Sequence, residues 1–149
     1  MSAQRPRPVR DRDSAPWWEA VQRHELLIQR CGGCGTPRFP PRAVCNRCRS
    51  REAEWVPSSG TGRVVSWIVN HQPFLPGMPG PYTVLFVRLD DGDAEGDADG
   101  QGDGADADIH MYGNLTDADP ADITAGMRVQ AVFVDVDDDL TLVQWRPGH

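Results

Sequence analysis

Apolar side chains follow two different periods along this chain, and the first is helical. From Ser14, which can cap the first turn, apolar residues recur at roughly helical spacing as far as Ile28. We therefore predict an N-terminal helix over residues 15–30. Its apolar stripe contains Trp17 and Trp18, and the pattern leaves open whether this stripe packs on the rest of the chain or on another protein.

The second period is that of β-strands and begins after residue 57. Five runs separated by turn residues predict strands at 64–70, 82–89, 109–115, 128–135 and 140–146. Residues 119–124 predict a short helical turn. Residues 73–81 hold four prolines and two glycines and are predicted to form a loop. Five short strands are typical of a small closed barrel, which we place at residues 57–149. The chain is therefore predicted to be mainly β.

Two segments are too polar to pack. Residues 1–14 are rich in Arg and Pro and predict a flexible arm, whereas residues 90–108 contain only Asp, Glu, Gly, Ala and Gln and predict a disordered, functionless excursion between two strands. The net charge of -7 conceals an asymmetry: residues 1–63 carry 12 Arg against 6 acidic residues, and residues 64–149 carry 3 Arg against 16.

The length and composition limit the class of protein. A chain of 149 residues with 39% hydrophobic content suffices for one compact domain or two small ones. No run approaches the roughly 18 apolar residues that a membrane span needs, and the Arg-rich start lacks the apolar core of a signal peptide. We therefore expect a cytoplasmic protein without a membrane segment, in which cysteines bind metal instead of forming disulfides.

The four cysteines form two Cys-x-x-Cys pairs. Cys31 and Cys34 are separated by ten residues from Cys45 and Cys48, a spacing that lets two tight turns present four thiolates tetrahedrally. This predicts a zinc ribbon over residues 31–56 with one zinc ion. Four thiolates leave no open coordination position, so the ion is structural. A rubredoxin-like iron site remains the alternative.

Catalytic groups are not recognisable in the remaining sequence. None of the four histidines has a recognisable spacing to a nucleophile or a carboxylate, and no thiol is left over. We therefore expect a chain that is not catalytic alone. A nucleic-acid-binding module is the alternative, favoured by the basic first half and disfavoured by the strongly acidic second half.

Several short motifs, in this order, resemble a known family. They are the Trp-rich helix before Leu-Ile-Gln-Arg-Cys at 27–31, the knuckle at 31–35, Phe-Pro-Pro-Arg at 39–42, the second knuckle, Trp55 with Gly-Thr-Gly at 60–62, Val-Val-Ser-Trp at 64–67, Pro-Tyr at 81–82, Gly-Asn-Leu at 113–115, Asp-Pro at 119–120 and Gly-Met at 126–127. The chain thereby resembles the acyl-CoA-associated zinc-ribbon plus OB-fold proteins known as domain of unknown function 35. It departs from them at Arg49, where the family often has Gly, and in its long insertion at 90–108.

The resemblance implies a fold and a role. The fold would be a rubredoxin-like zinc ribbon followed by a five-stranded OB-fold barrel. The role would be that of the smaller subunit beside a thiolase-like enzyme acting on an acyl-CoA thioester, in a heterotetramer. The most specific partner that the resemblance implies is an aldolase that shortens a steroid side chain by retro-aldol cleavage. An enoyl-CoA hydratase is the alternative partner, which is less expected because this chain carries no hydratase domain.

Two surfaces are expected from this role. The partner-binding surface would consist of the aromatic pair on the helix and the segment between the knuckles, namely Trp17, Trp18, Phe39, Pro40, Pro41 and Arg42. A weaker hypothesis is a ligand site in which Arg residues hold CoA phosphates while Phe74, Leu75 and Met78 shield an acyl chain. The sequence identifies no individual phosphate ligand.

Overall fold

The computed structural model describes residues 5–92 and 108–148 and is built from one helix and two antiparallel sheets. The elements are α1 Ala15–Gln22, β1 Leu27–Cys31, β2 Pro37–Arg38, β3 Ala53–Pro57, β4 Thr61–Asn70, β5 Tyr82–Leu89, β6 His110–Asn114, β7 Arg128–Asp137 and β8 Leu140–Pro147. The first sheet has the order β2-β1-β3, and the second has the order β6-β5-β4-β7-β8. No described helix is long and apolar enough to cross a lipid bilayer.

The helix is shorter than predicted. It ends at Gln22 instead of residue 30, and Leu27–Cys31, four residues further on, form the central strand of the first sheet. Leu26 and Ile28 were counted as the end of the helical stripe. Both are buried, and residues two apart also fit a strand in which alternate side chains face the core.

A local stop signal closes the helix. The amide of Glu25 donates to the Ala20 carbonyl and that of His24 to the Val21 carbonyl, both at 2.9 Å, while His24 adopts the left-handed conformation with φ 61°. This is the hydrogen-bond pattern of a Schellman motif, which usually carries glycine at the left-handed position. Because histidine stands there instead, the sequence did not reveal the helix end.

The second sheet contains all five strands predicted for the barrel, and a 3₁₀ turn at Pro120–Asp122 lies where a short helical turn was predicted. The predicted closure is only partial. The edge strands β6 and β8 meet at one isolated parallel bridge, Leu115 with Trp145, which is extended by a 2.7 Å hydrogen bond from the Thr116 amide to the Trp145 carbonyl. No continuous ladder joins these two edges in the described part of the chain.

One hydrophobic core joins both sheets and the helix. Trp17 and Val21 of α1 and Ile28 of β1 belong to the same buried cluster as Leu85 and Trp145 of the second sheet. Burial of large apolar side chains is the main favourable term in folding. The shared core therefore packs the first sheet and α1 against the barrel, and they do not form an independent unit.

The N-terminal arm, residues 1–14, was predicted to be flexible, and its described part contacts the β7–β8 hairpin. Arg7 forms a bidentate ion pair with Asp137 on the β7–β8 hairpin, with distances of 2.5 and 3.1 Å, and Arg10 donates to the Asp139 carbonyl. Ser14 stands at the N-cap of α1, but its hydroxyl accepts from an arm amide instead of capping the helix. Residues 1–4 lie outside the described residues.

The predicted insertion at 90–108 has ordered ends. Asp90 pairs with Arg128 at 2.7 and 2.9 Å, and Asp91 accepts from the Ser58 hydroxyl at 2.5 Å. At the other end, Asp108 forms an ion pair with Arg88 at a distance of 2.9 Å. The prediction of disorder is therefore wrong for these residues, and residues 93–107 lie outside the described part of the chain.

Candidate metal centre and adjoining surface

Two equivalent turns carry the cysteines. In the first, the Gly35 amide donates to the Cys31 carbonyl at 2.9 Å, and in the second the Arg49 amide donates to the Cys45 carbonyl at 3.0 Å. Both donors have left-handed backbone conformations, with φ 75° for Gly35 and 62° for Arg49. Arg49 therefore makes the same turn that glycine makes in the first knuckle, and the departure from the family pattern leaves the geometry intact.

The four sulfur atoms converge on one point. All lie within 4.8 Å of one another, with 3.5 Å between the sulfurs of Cys31 and Cys48 and 3.7 Å between those of Cys34 and Cys45. A tetrahedral zinc ion with Zn–S bonds of about 2.3 Å places its ligands about 3.8 Å apart. The donor set and its spacing therefore fit a four-thiolate zinc site.

Backbone amides and one hydroxyl surround the sulfurs. The Gly33 amide donates to the Cys31 sulfur at 3.3 Å, the Arg47 amide to the Cys45 sulfur at 3.4 Å, and the Thr36 hydroxyl lies 3.1 Å from the Cys34 sulfur. Such donors orient the ligands and stabilise the negative charge on sulfur.

The metal-free thiols differ in acidity because of these contacts. The Cys34 amide is the largest of the effects that lower the pKa of Cys31 to about 6. The Thr36 hydroxyl likewise lowers the pKa of Cys34. The Ser50 amide lowers the pKa of Cys48, but the neighbouring Cys31 sulfur and the other thiols outweigh it and raise that pKa to about 11. A bound dication would hold all four as thiolates, so metal uptake releases protons.

Family models match most of the chain. Residues 18–54 match the model described as the rubredoxin-like zinc ribbon domain of ChsH2, and residues 55–134 match the C-terminal OB-fold domain of ChsH2. The chain belongs to the ChsH2 family. The resemblance drawn from the motifs is thereby confirmed, and so is the mainly β fold of a zinc ribbon followed by an OB-fold.

Individual relatives are similar over nearly the whole chain. A probable enoyl-CoA hydratase alpha subunit of Thermomonospora curvata is 37% identical over 98% of this chain, and the 3-oxo-4,17-pregnadiene-20-carboxyl-CoA hydratase alpha subunit of Mycobacterium tuberculosis is 36% identical over 96%. The chain spans about two fifths of the length of these two relatives, 41% and 40%. A DUF35 domain-containing scaffold protein of Methanocaldococcus jannaschii is 30% identical over 83% of this chain and 77% of its own length.

A solved structure matches along both chains. A chain of the Ltp2-ChsH2(DUF35) aldolase superimposes with a TM-score of 0.77 and 37% identity, covering 95% of this chain and 98% of that chain. This ChsH2-like chain is therefore comparable in extent to that chain, in contrast to the longer hydratase subunits.

The metal of this ChsH2-like chain is structural zinc. The four cysteines are the one group of three or more metal-ligating side chains found among the described residues, and they lie in the segment matched by the zinc ribbon model. Four thiolates close the coordination sphere, so the ion would supply folding free energy of roughly 10 to 16 kcal/mol and no reactive water. The sequence prediction of zinc over iron is confirmed.

An aromatic groove lies where the partner-binding surface was predicted. Trp17 contacts Trp18 edge to face at 4.8 Å and Phe39 at 5.4 Å, and these three with Pro40 form one wall of a cavity of about 480 Å³. The opposite wall belongs to the OB-fold and consists of Phe86, His110, Met111, Tyr112, Leu142 and Val143. The groove thus lies between the helix, the ribbon and the barrel.

The predicted surface residues differ in exposure. Trp17 is only 7% exposed and packs in the chain's own core. Trp18 and Phe39 are half-buried, and Pro40 and Arg42 are exposed. The partner-binding role of all six residues stays a prediction.

The groove includes one strongly exposed aromatic residue that the sequence analysis did not identify. Tyr112 is 69% exposed and lies opposite Phe86 in the β5–β6 ladder. Its ring is 4.8 Å from that of Phe86, and His110 stacks on the same ring at 4.6 Å. The alternation with buried Met111 was the available signal, because neighbours in a strand face opposite sides.

The loop proposed to shield an acyl chain is exposed. Phe74 is 72% and Leu75 is 48% exposed, and residues 73–79 line a shallow cavity of about 420 Å³. No arginine is among the described residues that line it. The arrangement of phosphate-binding Arg side chains beside this loop therefore gains no support.

Proposed function

We propose that this chain is a non-catalytic, zinc-stabilised accessory subunit of an acyl-CoA-processing complex. Its partner would be a thiolase-like enzyme that cleaves a steroid side-chain CoA thioester by a retro-aldol reaction, in a heterotetramer. The observation that carries this proposal is the match to the Ltp2-ChsH2(DUF35) aldolase, which extends over 98% of the matched chain at 37% identity. Because the four metal-binding cysteines must stay reduced, we propose the cytoplasm as its location.

The chemistry of the described residues supports an accessory role. The cysteines surround the metal position, and three of the histidines are described. The Nε2 atom of His24 is hydrogen-bonded to the Asp135 carboxylate at 2.9 Å, and its ring stacks on Phe133. The ring of His110 stacks on Phe86. None of these contacts joins a histidine to a hydroxyl or thiol nucleophile among the described residues. The catalytic residues would therefore come from the partner.

Co-expression with a thiolase-like protein tests the proposal. The two chains should co-purify in a fixed ratio, and the complex, but neither chain alone, should cleave a steroid 3-hydroxyacyl-CoA to a ketone and a shorter acyl-CoA. Trp18→Ala together with Phe39→Ala should weaken the complex, whereas Val9→Ala, at an exposed residue of the arm, should not. A thiolase-like partner that cleaves the substrate equally well without this chain would refute the accessory role.

An enoyl-CoA hydratase partner is the second candidate, because two relatives of 36% and 37% identity are named as hydratase alpha subunits. The two candidates predict different reactions of the purified complex. Hydration removes the absorbance of an α,β-unsaturated thioester, whereas retro-aldol cleavage converts one 3-hydroxyacyl-CoA into a ketone and one shorter acyl-CoA. Binding to oligonucleotides with a steep salt dependence, and to neither enzyme, would favour the nucleic-acid alternative.

A further inference from the structure

The ribbon contains a buried guanidinium without a counter-charge. Arg38 is only 7% exposed. Its Nε donates to the Gln29 side-chain oxygen at 2.5 Å, and one terminal nitrogen donates to the Arg42 carbonyl at 3.0 Å. The other terminal nitrogen, Nη1, is buried and has no hydrogen-bond partner among the described residues. Both acceptors are neutral, and a buried cation with neutral neighbours is strongly disfavoured unless an anion lies nearby.

The register of the first sheet places this cation beside the metal centre. Arg38 lies directly opposite Gln29 in the β1–β2 ladder, and Gln29 and Cys31 are two residues apart on β1, both buried on the same face. Thr36, two residues before Arg38, places its hydroxyl 3.1 Å from the Cys34 sulfur. Residues two apart in a strand are separated by about 7 Å, so Arg38 occupies the layer next to the cysteines.

The zinc site supplies the missing negative charge. Four thiolates around a dication leave a net charge of -2, which must itself be accommodated at the ribbon. We propose that Arg38 is the internal counter-ion of the zinc tetrathiolate, held in place by Gln29. Arg38 is then a positioning residue: it binds no metal, but its charge stabilises the four-thiolate state. This inference depends on the zinc site and not on the proposed enzymatic partner.

The size of the effect follows from Coulomb's law. For a separation of about 7 to 10 Å, the order of the spacing between adjacent side-chain layers in a strand, and an effective dielectric constant of about 20, one positive charge facing a net charge of -2 is worth more than a factor of 100 in affinity. Two factors reduce this effect. Water at the exposed cysteines screens the charge, and the other arginines of the ribbon supply part of the same positive potential. We therefore expect loss of the Arg38 charge to weaken zinc binding about 10- to 100-fold.

Three variants of the full chain separate charge from structure. Arg38→Met removes the charge and keeps most of the volume, whereas Arg38→Lys keeps the charge and removes the planar fork. Arg30→Met is the matched control, because Arg30 is an exposed arginine on the neighbouring ribbon strand β1, directly before Cys31. Zinc affinity is measured by competition with a chromophoric chelator. The absorption spectrum of the cobalt-loaded protein reports whether the four-sulfur geometry is intact.

Arg38→Met should bind zinc about 10- to 100-fold more weakly, and Arg38→Lys and Arg30→Met should stay within about threefold of the parent chain. Arg38→Met binding as tightly as Arg30→Met would overturn the inference. So would equal losses in Arg38→Met and Arg38→Lys, since the role would then be the hydrogen bonds to Gln29 and Arg42 and not the charge. If Arg38→Met alters the cobalt spectrum, the lysine variant alone decides: retained affinity supports the counter-ion.

Discussion

Replacing Arg49 by glycine should stabilise the protein. Arg49 holds a left-handed backbone conformation that glycine holds at the equivalent Gly35, where an added Cβ would meet nothing within 4 Å. A side chain at this knuckle position therefore has mainly a conformational cost. That cost is about 1 to 2 kcal/mol for an L residue, and the greater freedom of glycine in the unfolded chain offsets roughly 0.5 to 1 kcal/mol of it. The expected net gain for Arg49→Gly is about 0.5 to 1 kcal/mol.

Thermal unfolding of the zinc-loaded chain, followed by circular dichroism at fixed free zinc, measures this gain. For a chain of 149 residues the midpoint should rise by about 1 to 4 °C. Arg49→Ala is the control for charge, because it removes the guanidinium and keeps the strained conformation. Gly35→Ala should lower the midpoint by a similar amount. If Arg49→Ala stabilises as much as Arg49→Gly, relief of repulsion between arginines is the cause and the conformational reasoning is wrong.

Two further substitutions test the barrel and the arm. Gly113→Ala would place a Cβ 2.7 Å from the ring of fully buried Trp145, so urea unfolding should show a loss of about 1 to 3 kcal/mol. Asp137→Asn should speed trypsin cleavage of the N-terminal arm several-fold, because it breaks the bidentate pair with Arg7, whereas Asp138→Asn, equal in charge change, should not. The hydrogen bond from Arg7, with smaller contributions from the Asp139 and Leu140 amides, lowers the pKa of Asp137 from 3.8 to about 2, so this attachment should persist at neutral pH and be lost as the pH falls from about 4 to 2.

The strands of the OB-fold could be predicted because short apolar runs lie between turn residues, and β5 buries alternate residues over its whole length. Buried Leu85, Val87 and Leu89 alternate with less buried neighbours in β5, a pattern that needs no knowledge of the rest of the chain. The end of α1 could not be predicted in this way, since Leu26 and Ile28 satisfy both periods. The attachment of the arm was also missed, because its partners on the β7–β8 hairpin lie about 130 residues away.

The metal centre and the groove differ in the same way, because one depends on local sequence and the other on contacts between distant residues. Two Cys-x-x-Cys pairs specify their own turns, so the metal ligands follow from local spacing. The buried pair of Gln29 and Arg38 becomes meaningful only when the register of β1 and β2 brings them together. The groove is still less predictable, because its two walls come from the helix and ribbon on one side and three barrel strands on the other. Local patterns thus identified the metal centre, whereas the surface around it depends on long-range pairing.

Removal of the acidic insertion should leave the fold intact. The β5–β6 ladder continues to the 2.8 Å hydrogen bond from the Leu89 amide to the Ile109 carbonyl, so the 19 residues between them connect two adjacent strand ends. Replacing residues 93–107 by Gly-Ser shortens this connection to six residues and keeps Asp90, Asp91 and Asp108. Loop closure then favours the variant by about 1 kcal/mol, measured as a higher urea midpoint. A variant that unfolds more easily would contradict this reasoning, whereas unchanged stability with lost binding to a thiolase-like partner would assign the insertion a function that its composition did not predict.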